Sequence, residues 1–201
     1  DLWWGTGGCH YTLKCKGYMS DCSKCNYFKF PKNFIKYKKE KEKFNKKFKI
    51  YAISTWLKHT LQDGGLKNIS YIPNSVYNGT LEVIEPRNKP NGKFLFIPAG
   101  HLASKYKGIT LLFTLIKQNQ DVNFIFAGNG LLPSEISMLA NVKSIGFLPR
   151  ANLNWYYSEA DLVLIPSTQE AFGKTVVEAL INNAITVVMK GSAPEEIIRK
   201  V

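Results

Sequence analysis

Two continuous apolar runs, residues 162–165 and 185–189, bracket a polar turn and a helical pattern. The first run predicts a buried strand. Pro166, Ser167, Thr168 and Gln169 form the turn, and a helix is expected from Lys174 to about Asn183. Strand, turn, helix and strand in that order make a βαβ unit of a parallel sheet. In such sheets ligands bind beyond the carboxyl ends of the strands, where helix N-termini present backbone N–H groups to anions. Glu170 falls in that loop. Glu178 lies eight residues on, a little over two helical turns, which puts it on the following helix near the same crevice.

The same alternation runs upstream. Strands are expected at 94–99, 123–127 and 142–147, and helices at about 109–118, 133–139 and 152–158. Gly128-Asn129-Gly130 follows a strand, as phosphate-facing loops do, although two glycines alone also describe a tight turn. The fold class expected is α/β, a Rossmann-like parallel sheet with flanking helices over 76–201. Residues 1–75 belong to a different domain. There, a short strand at 49–53 precedes a helix capped by Ser54 and ended by Asp63-Gly64-Gly65, and a second short strand covers 68–73. The polar, Pro-containing stretch from Tyr77 to Gly92 reads as the linker or the edge of the second domain. Asn68 and Asn78 open formal glycosylation sequons, expected to be accidental because the first residues show no signal-peptide pattern.

The string P-S-x-x-E-A-F-G-K-x-x-V-E-A-L, with Glu170 and Glu178 spaced E-x7-E, resembles the donor-site motif of family 4 (group 1) retaining GT-B glycosyltransferases. Ser54-Thr55-Trp56-Leu57, Ile72-Pro73-Asn74-Ser75-Val76, Lys107-Gly108 and Gly146-Phe147-Leu148-Pro149-Arg150, then Leu153, Tyr156 and Ala160-Asp161, follow the order of the same family. The resemblance implies a hexosyltransferase that moves a sugar from a UDP- or GDP-sugar to a saccharide or lipid-linked acceptor, with retention. It implies catalytic roles for Glu170 and Lys107, and donor contacts from Glu178, Phe172, Gly173, His101, Gly128 and Gly130. No D-x-D motif occurs, so a divalent metal is not expected at the donor. Two departures stand out. His101 replaces the usual Arg, a weaker partner for a diphosphate than a fixed guanidinium. Asn182-Asn183-Ala184-Ile185 replaces the usual C-G-x-P turn.

All four cysteines fall within 9–25, spaced C-x5-C-x6-C-x2-C: Cys9, Cys15, Cys22 and Cys25, with His10 beside the first. A structural zinc site uses four such ligands, and a C-x2-C pair supplies two from one turn. Free or redox-active thiols and a pair of disulfides are the other readings. The string T-G-G-C-H-Y and the cysteines after it resemble members of the family that build surface polysaccharides.

Charge is uneven. Of a net +12, residues 29–49 carry ten Lys and two Glu, or +8. A uniformly basic nucleic-acid domain would look different, so no nucleic-acid partner is expected. The patch suits an anionic membrane leaflet or a phosphorylated acceptor. Phe30, Phe34, Tyr37, Phe44 and Phe48 fall on one helical stripe there. The stripe is expected to face the core, with the lysines solvated; the alternative is a basic amphipathic helix lying on a membrane. No apolar run reaches the roughly 18–20 residues of a membrane span. The first residues, Asp-Leu-Trp-Trp, lack a signal-peptide pattern. The location expected is cytoplasmic, peripheral on the inner face of the membrane. Both ends look cut, so a fragment of a longer enzyme is expected. The rival readings are a zinc-containing basic nucleic-acid module, a phosphorylase-like or epimerase enzyme on the same fold, and a non-catalytic remnant.

Overall fold

The computed structural model describes residues 6, 9–12, 15–25, 31–76, 82–88, 90–98, 100 and 105–201, with side chains omitted at 31–34 and 105. Two compact units result: 1–75 with 169–172, and 76–168 with 173–201.

The second unit is built on five parallel strands: β3 (Phe94–Pro98), β4 (Asn123–Ala127), β5 (Val142–Ser144), β6 (Leu162–Ile165) and β7 (Thr186–Val188), in the order β5-β4-β3-β6-β7. The chain starts at the centre, moves to one edge, then returns to β6 on the other side of β3. The gap between β3 and β6 is therefore the topological switch point, where crevices open in sheets of this kind. Pairings Leu95↔Leu162 and Phe96↔Val163 fix the register there.

Side chains alternate along these strands, as pleating requires. Phe94, Phe96, Ile125, Ala127, Val163 and Ile165 pack on one face against α5 (Arg150–Glu159), α6 (Lys174–Ile181) and α7 (Ala193–Ile198). Ile97, Phe124, Phe126 and Leu164 pack on the other against α3 (Ile109–Gln118) and α4 (Ser134–Ser137). Both faces are covered, which is why the strands are continuous apolar runs. Phe96, Phe124 and Val163 are wholly buried, and each such side chain contributes about 1.5–3 kcal/mol relative to exposure. β5 ends at Ser144, three residues earlier than the apolar pattern suggests; Phe147 beyond it is 75% exposed. Asn183 takes the left-handed conformation after α6 (φ 58°), supplying the turn for which glycine is usual.

The first unit has a smaller frame. α1 (Pro31–Asn45) precedes β1 (Ile50–Ala52), α2 (Thr55–Asp63) and β2 (Ile69–Tyr71). β1 and β2 pair in parallel. Ser54 Oγ accepts the Leu57 N–H at 3.0 Å and caps α2. The expected core-facing aromatic stripe on α1 is corrected. Tyr37, Phe44 and Phe48 are more than half exposed, while Lys38 and Lys41 are buried. The ammonium groups of those lysines donate to backbone carbonyls, Lys38 to Tyr18 and Ser20 and Lys41 to Thr6, and so determine which face of α1 turns inward. Phe30 and the Phe34 side chain lie outside the described residues.

Candidate active site

A cleft of about 280 Å³ opens at the carboxyl ends of β3 and β4. Pro98, Gly100, Gly128 and Asn129 form its strand side, Leu153 and Tyr157 come from α5, and Thr175 and Glu178 from α6. Glu178 is no solvated helix residue: its side chain is 13% exposed and held by two donors. Arg150 Nη1 lies 2.9 Å from Oε1, and the Tyr157 hydroxyl donates to Oε2 at 3.1 Å. Burial, and next the Glu178 carboxylate, push the Tyr157 phenol well above its ordinary value of 10.0, so it stays a donor. The carboxylate plane is fixed, and each oxygen keeps acceptor capacity for a further hydroxyl. Such a group suits a vicinal diol.

Of the residues expected at the donor site, Glu178 and Gly128 line this cleft, whose lining also includes Asn129, Tyr157 and Thr175, which were not among them. Tyr156, part of the string that follows the family's order, packs on Phe96 with ring centroids 5.3 Å apart. Gly130 does not line the cleft. His101 lies outside the described residues. Arg150 appeared only as part of a matching string; its place at the start of α5, one turn before Asn154 and two before Tyr157, was the available signal.

Lys107 precedes Gly108, and only glycine suits position 108. Its φ is 72°, and an added Cβ would sit 2.1 Å from the Pro166 carbonyl oxygen at the end of β6. Thr168 N–H donates to the Tyr106 carbonyl at 2.7 Å, tying the loop after β6 to the turn before α3. Lys107 Nζ lies 5.6 Å from the Tyr106 ring centroid. Gly173 opens α6 at φ 92° with no side-chain cap, and an added Cβ would meet Pro194 Cγ at 2.9 Å. Here too the backbone excludes other residues, and it leaves the first turn of α6 uncovered by any capping side chain.

The segment 169–172 clusters with the first unit. Ala171 packs with Ala52, Leu57, Leu61, Leu66 and Ile69. Gln169 Nε2 donates to Thr12 Oγ1 at 3.1 Å. Glu170 and Phe172 between and beside them are half-buried.

Cys9, Cys15, Cys22 and Cys25 are all free thiols, and together they line a single void of about 20 Å³. Burial, then the neighbouring Cys25, Cys22 and Cys15, raise the Cys9 thiol to about 11. Among the described residues no three His, Cys, Asp or Glu side chains are already arranged to hold a metal ion. Among them, too, no helix is long and apolar enough to cross a membrane.

Comparison with known proteins places this geometry. The family model for "Glycosyl transferases group 1" matches residues 80–200. A Bacillus subtilis protein described as an uncharacterized glycosyltransferase, YqgM, is 26% identical over 152 residues, covering 69% of this chain and 41% of its own. The structure resembles that of WaaG, a glycosyltransferase involved in lipopolysaccharide biosynthesis, with TM-score 0.64, 13% identity, and coverage of 86% of this chain and 52% of WaaG. It also resembles Staphylococcus aureus TarM, solved with UDP and alpha-GlcNAc-glycerol, with TM-score 0.58, 20% identity, and coverage of 82% and 34%. The chain thus spans half or less of the length of most of these relatives. The parallel sheet with flanking helices is that of GT-B glycosyltransferases.

Proposed function

The chain belongs to the group 1 glycosyltransferases, and from that premise we propose that it handles the nucleotide-diphospho-sugar donor in a retaining, family 4 transfer to a saccharide or lipid-linked acceptor. The observation that supports this most is Glu178, fixed by Arg150 and Tyr157 in a cleft at the carboxyl ends of β3 and β4 of a parallel sheet. A buried, oriented carboxylate with acceptor capacity on both oxygens suits the two ribose hydroxyls of a nucleotide. The UDP in the TarM structure supports UDP as one donor nucleotide; GDP stays open with it. The involvement of WaaG in lipopolysaccharide biosynthesis supports a role in surface-polysaccharide synthesis. In that role the acceptor would sit at an anionic membrane face, for which the exposed lysines of α1 are suited.

The chemistry follows from the donor. As the glycosidic bond breaks, negative charge grows on the β-phosphate, and groups that meet that charge lower the barrier. Lys107 supplies a cation. The first turn of α6, opened by Gly173, supplies backbone dipoles of the right sign. Glu170 binds sugar hydroxyls and orients the ring, a role carried by the family resemblance. No metal is needed for these steps. In the complete enzyme, Glu170→Ala and Lys107→Ala should each slow acceptor-dependent release of nucleoside diphosphate by roughly 100-fold or more, as loss of a transition-state donor does elsewhere. Wild-type turnover by both variants would sink the assignment.

A further inference from the structure

We propose that Cys9, Cys15, Cys22 and Cys25 form a structural zinc site that braces the segment bearing Glu170. Four thiols from a seventeen-residue stretch line one void of about 20 Å³ and form no disulfide. That volume suits one ion or water rather than a larger ligand. The backbone around it is folded as a tight knuckle. Cys22 sits at φ 61° and its N–H donates to the Gly17 carbonyl at 3.0 Å. The Gly17 N–H donates to Cys15 Sγ at 3.3 Å, a contact that favours a sulfur carrying negative charge. Cys9 N–H and carbonyl are both tied to the Thr6 hydroxyl at 2.8 Å.

Charge balance supplies the second line of argument. Zn²⁺ with four thiolates carries a net −2. Lys38 and Lys41, 4% and 7% exposed, pack against this same segment from α1. Their two positive charges match the net −2 of such a metal–thiolate cluster. No three ligands are already set about one point among the described residues, so zinc binding here requires the thiols to close on the ion, which couples metal binding to local folding. The consequence reaches the donor loop. Thr12 lies between Cys9 and Cys15, and its hydroxyl accepts the hydrogen bond from Gln169, the residue before Glu170.

The full chain, purified without chelator, should contain about one zinc per molecule. Its four thiols should resist a thiol reagent until a strong chelator is added, then all react. Reconstitution with Co²⁺ keeps the wild-type sequence and should give the intense visible and thiolate charge-transfer absorption of tetrahedral sulfur ligation. His10→Ala should leave the metal content unchanged. The proposal is overturned by metal-free protein with four freely reacting thiols, by protein whose cysteines are locked in two disulfides, by a Co²⁺ spectrum without thiolate ligation, or by loss of metal on His10→Ala. None of these readouts depends on donor turnover, so they stand apart from the glycosyltransferase reading.

Discussion

The two units of this chain are held by different means. In the second unit, five strands bury aromatic and aliphatic side chains on both faces, and Phe96, Tyr157, Phe124 and Ile97 are inaccessible to solvent. In the first unit the sheet is two strands of three residues, and the apolar cluster is Ala52, Leu57, Leu61, Leu66, Ile69 and Ala171. A two-stranded sheet is marginal by itself. Buried polar groups fill the deficit there: Thr6, Thr12, Lys38, Lys41 and Ser54 are all buried, each accepting or donating to backbone or side chain. The difference teaches that hydrophobic burial carries the second unit, whereas hydrogen bonds, and in our proposal a metal, carry the unit that holds Glu170.

The largest test of that contrast sets one phenylalanine against another. Phe96 is wholly buried, with the Tyr156 and Tyr157 rings each 5.3 Å away. Phe96→Ala should cost about 3–5 kcal/mol, the range for a buried aromatic truncated to Ala. Phe44, 52% exposed and stacked on Phe48, should tolerate Ala within about 0.5 kcal/mol. Denaturant unfolding of the two variants decides the matter. Comparable losses would mean that the aromatic stripe of α1 is as structural as the sheet core, and the contrast would fail.

The same contrast explains what could be read from sequence. The sheet was legible because parallel strands buried on both faces are unbroken apolar runs. The bounds of α3 and β4 agree with expectation to the residue. The place of Glu178 on the helix after β6, facing the cleft, was legible from its spacing. Its partners were not: Tyr156 and Tyr157 differ by about 100° around a helix, and periodicity does not say which of two adjacent tyrosines meets a carboxylate on another helix. The burial of Lys38 and Lys41 was also hidden, because a lysine is buried only where specific carbonyls await it, and these come from residues 6, 18 and 20. The grouping of 169–172 with the first unit rests on contacts over a hundred residues apart, such as Gln169 with Thr12. No local pattern encodes such a contact.

A smaller effect separates the units by pH. Tyr157 in the second unit is raised well above 10.0 by burial and by Glu178, whereas Tyr18 in the first is raised by burial, then Asp63 and Cys15, at a far more accessible position. A raised folded value means that the unfolded chain releases its proton first. The stability tied to Tyr157 is therefore fully present below the unfolded value of 10.0 and is lost as pH rises from there through the folded value. Between the two values the slope is about 1.4 kcal/mol per pH unit for one proton. Urea unfolding at alkaline pH should show Tyr157→Phe flattening this decline and Tyr18→Phe altering it less. Equal flattening by both would erase the distinction between a dry and a wet phenol.

The smallest effect per residue concerns the outer face of α1. Ten lysines in 29–49 suggest a uniform basic patch, but the structure divides them. Lys38 and Lys41 are committed to backbone carbonyls and leave the surface, while Lys36, Lys39, Lys43, Lys46, Lys47 and Lys49 are exposed beside the exposed Tyr37, Phe44 and Phe48. Each exposed lysine near an anionic leaflet contributes about 1 kcal/mol, falling off within a Debye length near 8 Å at physiological salt. Aromatic side chains entering the headgroup region add a component that salt does not screen. Binding to vesicles rich in anionic lipid should therefore fall with salt and level off above zero. Replacing Lys39, Lys43, Lys46 and Lys47 by Gln should remove the salt-sensitive part and leave folding intact, whereas Lys38→Gln or Lys41→Gln should instead loosen the first unit. Replacing Phe44 and Phe48 by Ser should remove the residual binding at high salt. Vesicle sedimentation with no preference for anionic over neutral lipid would reduce the lysines of α1 to an ordinary solvated face.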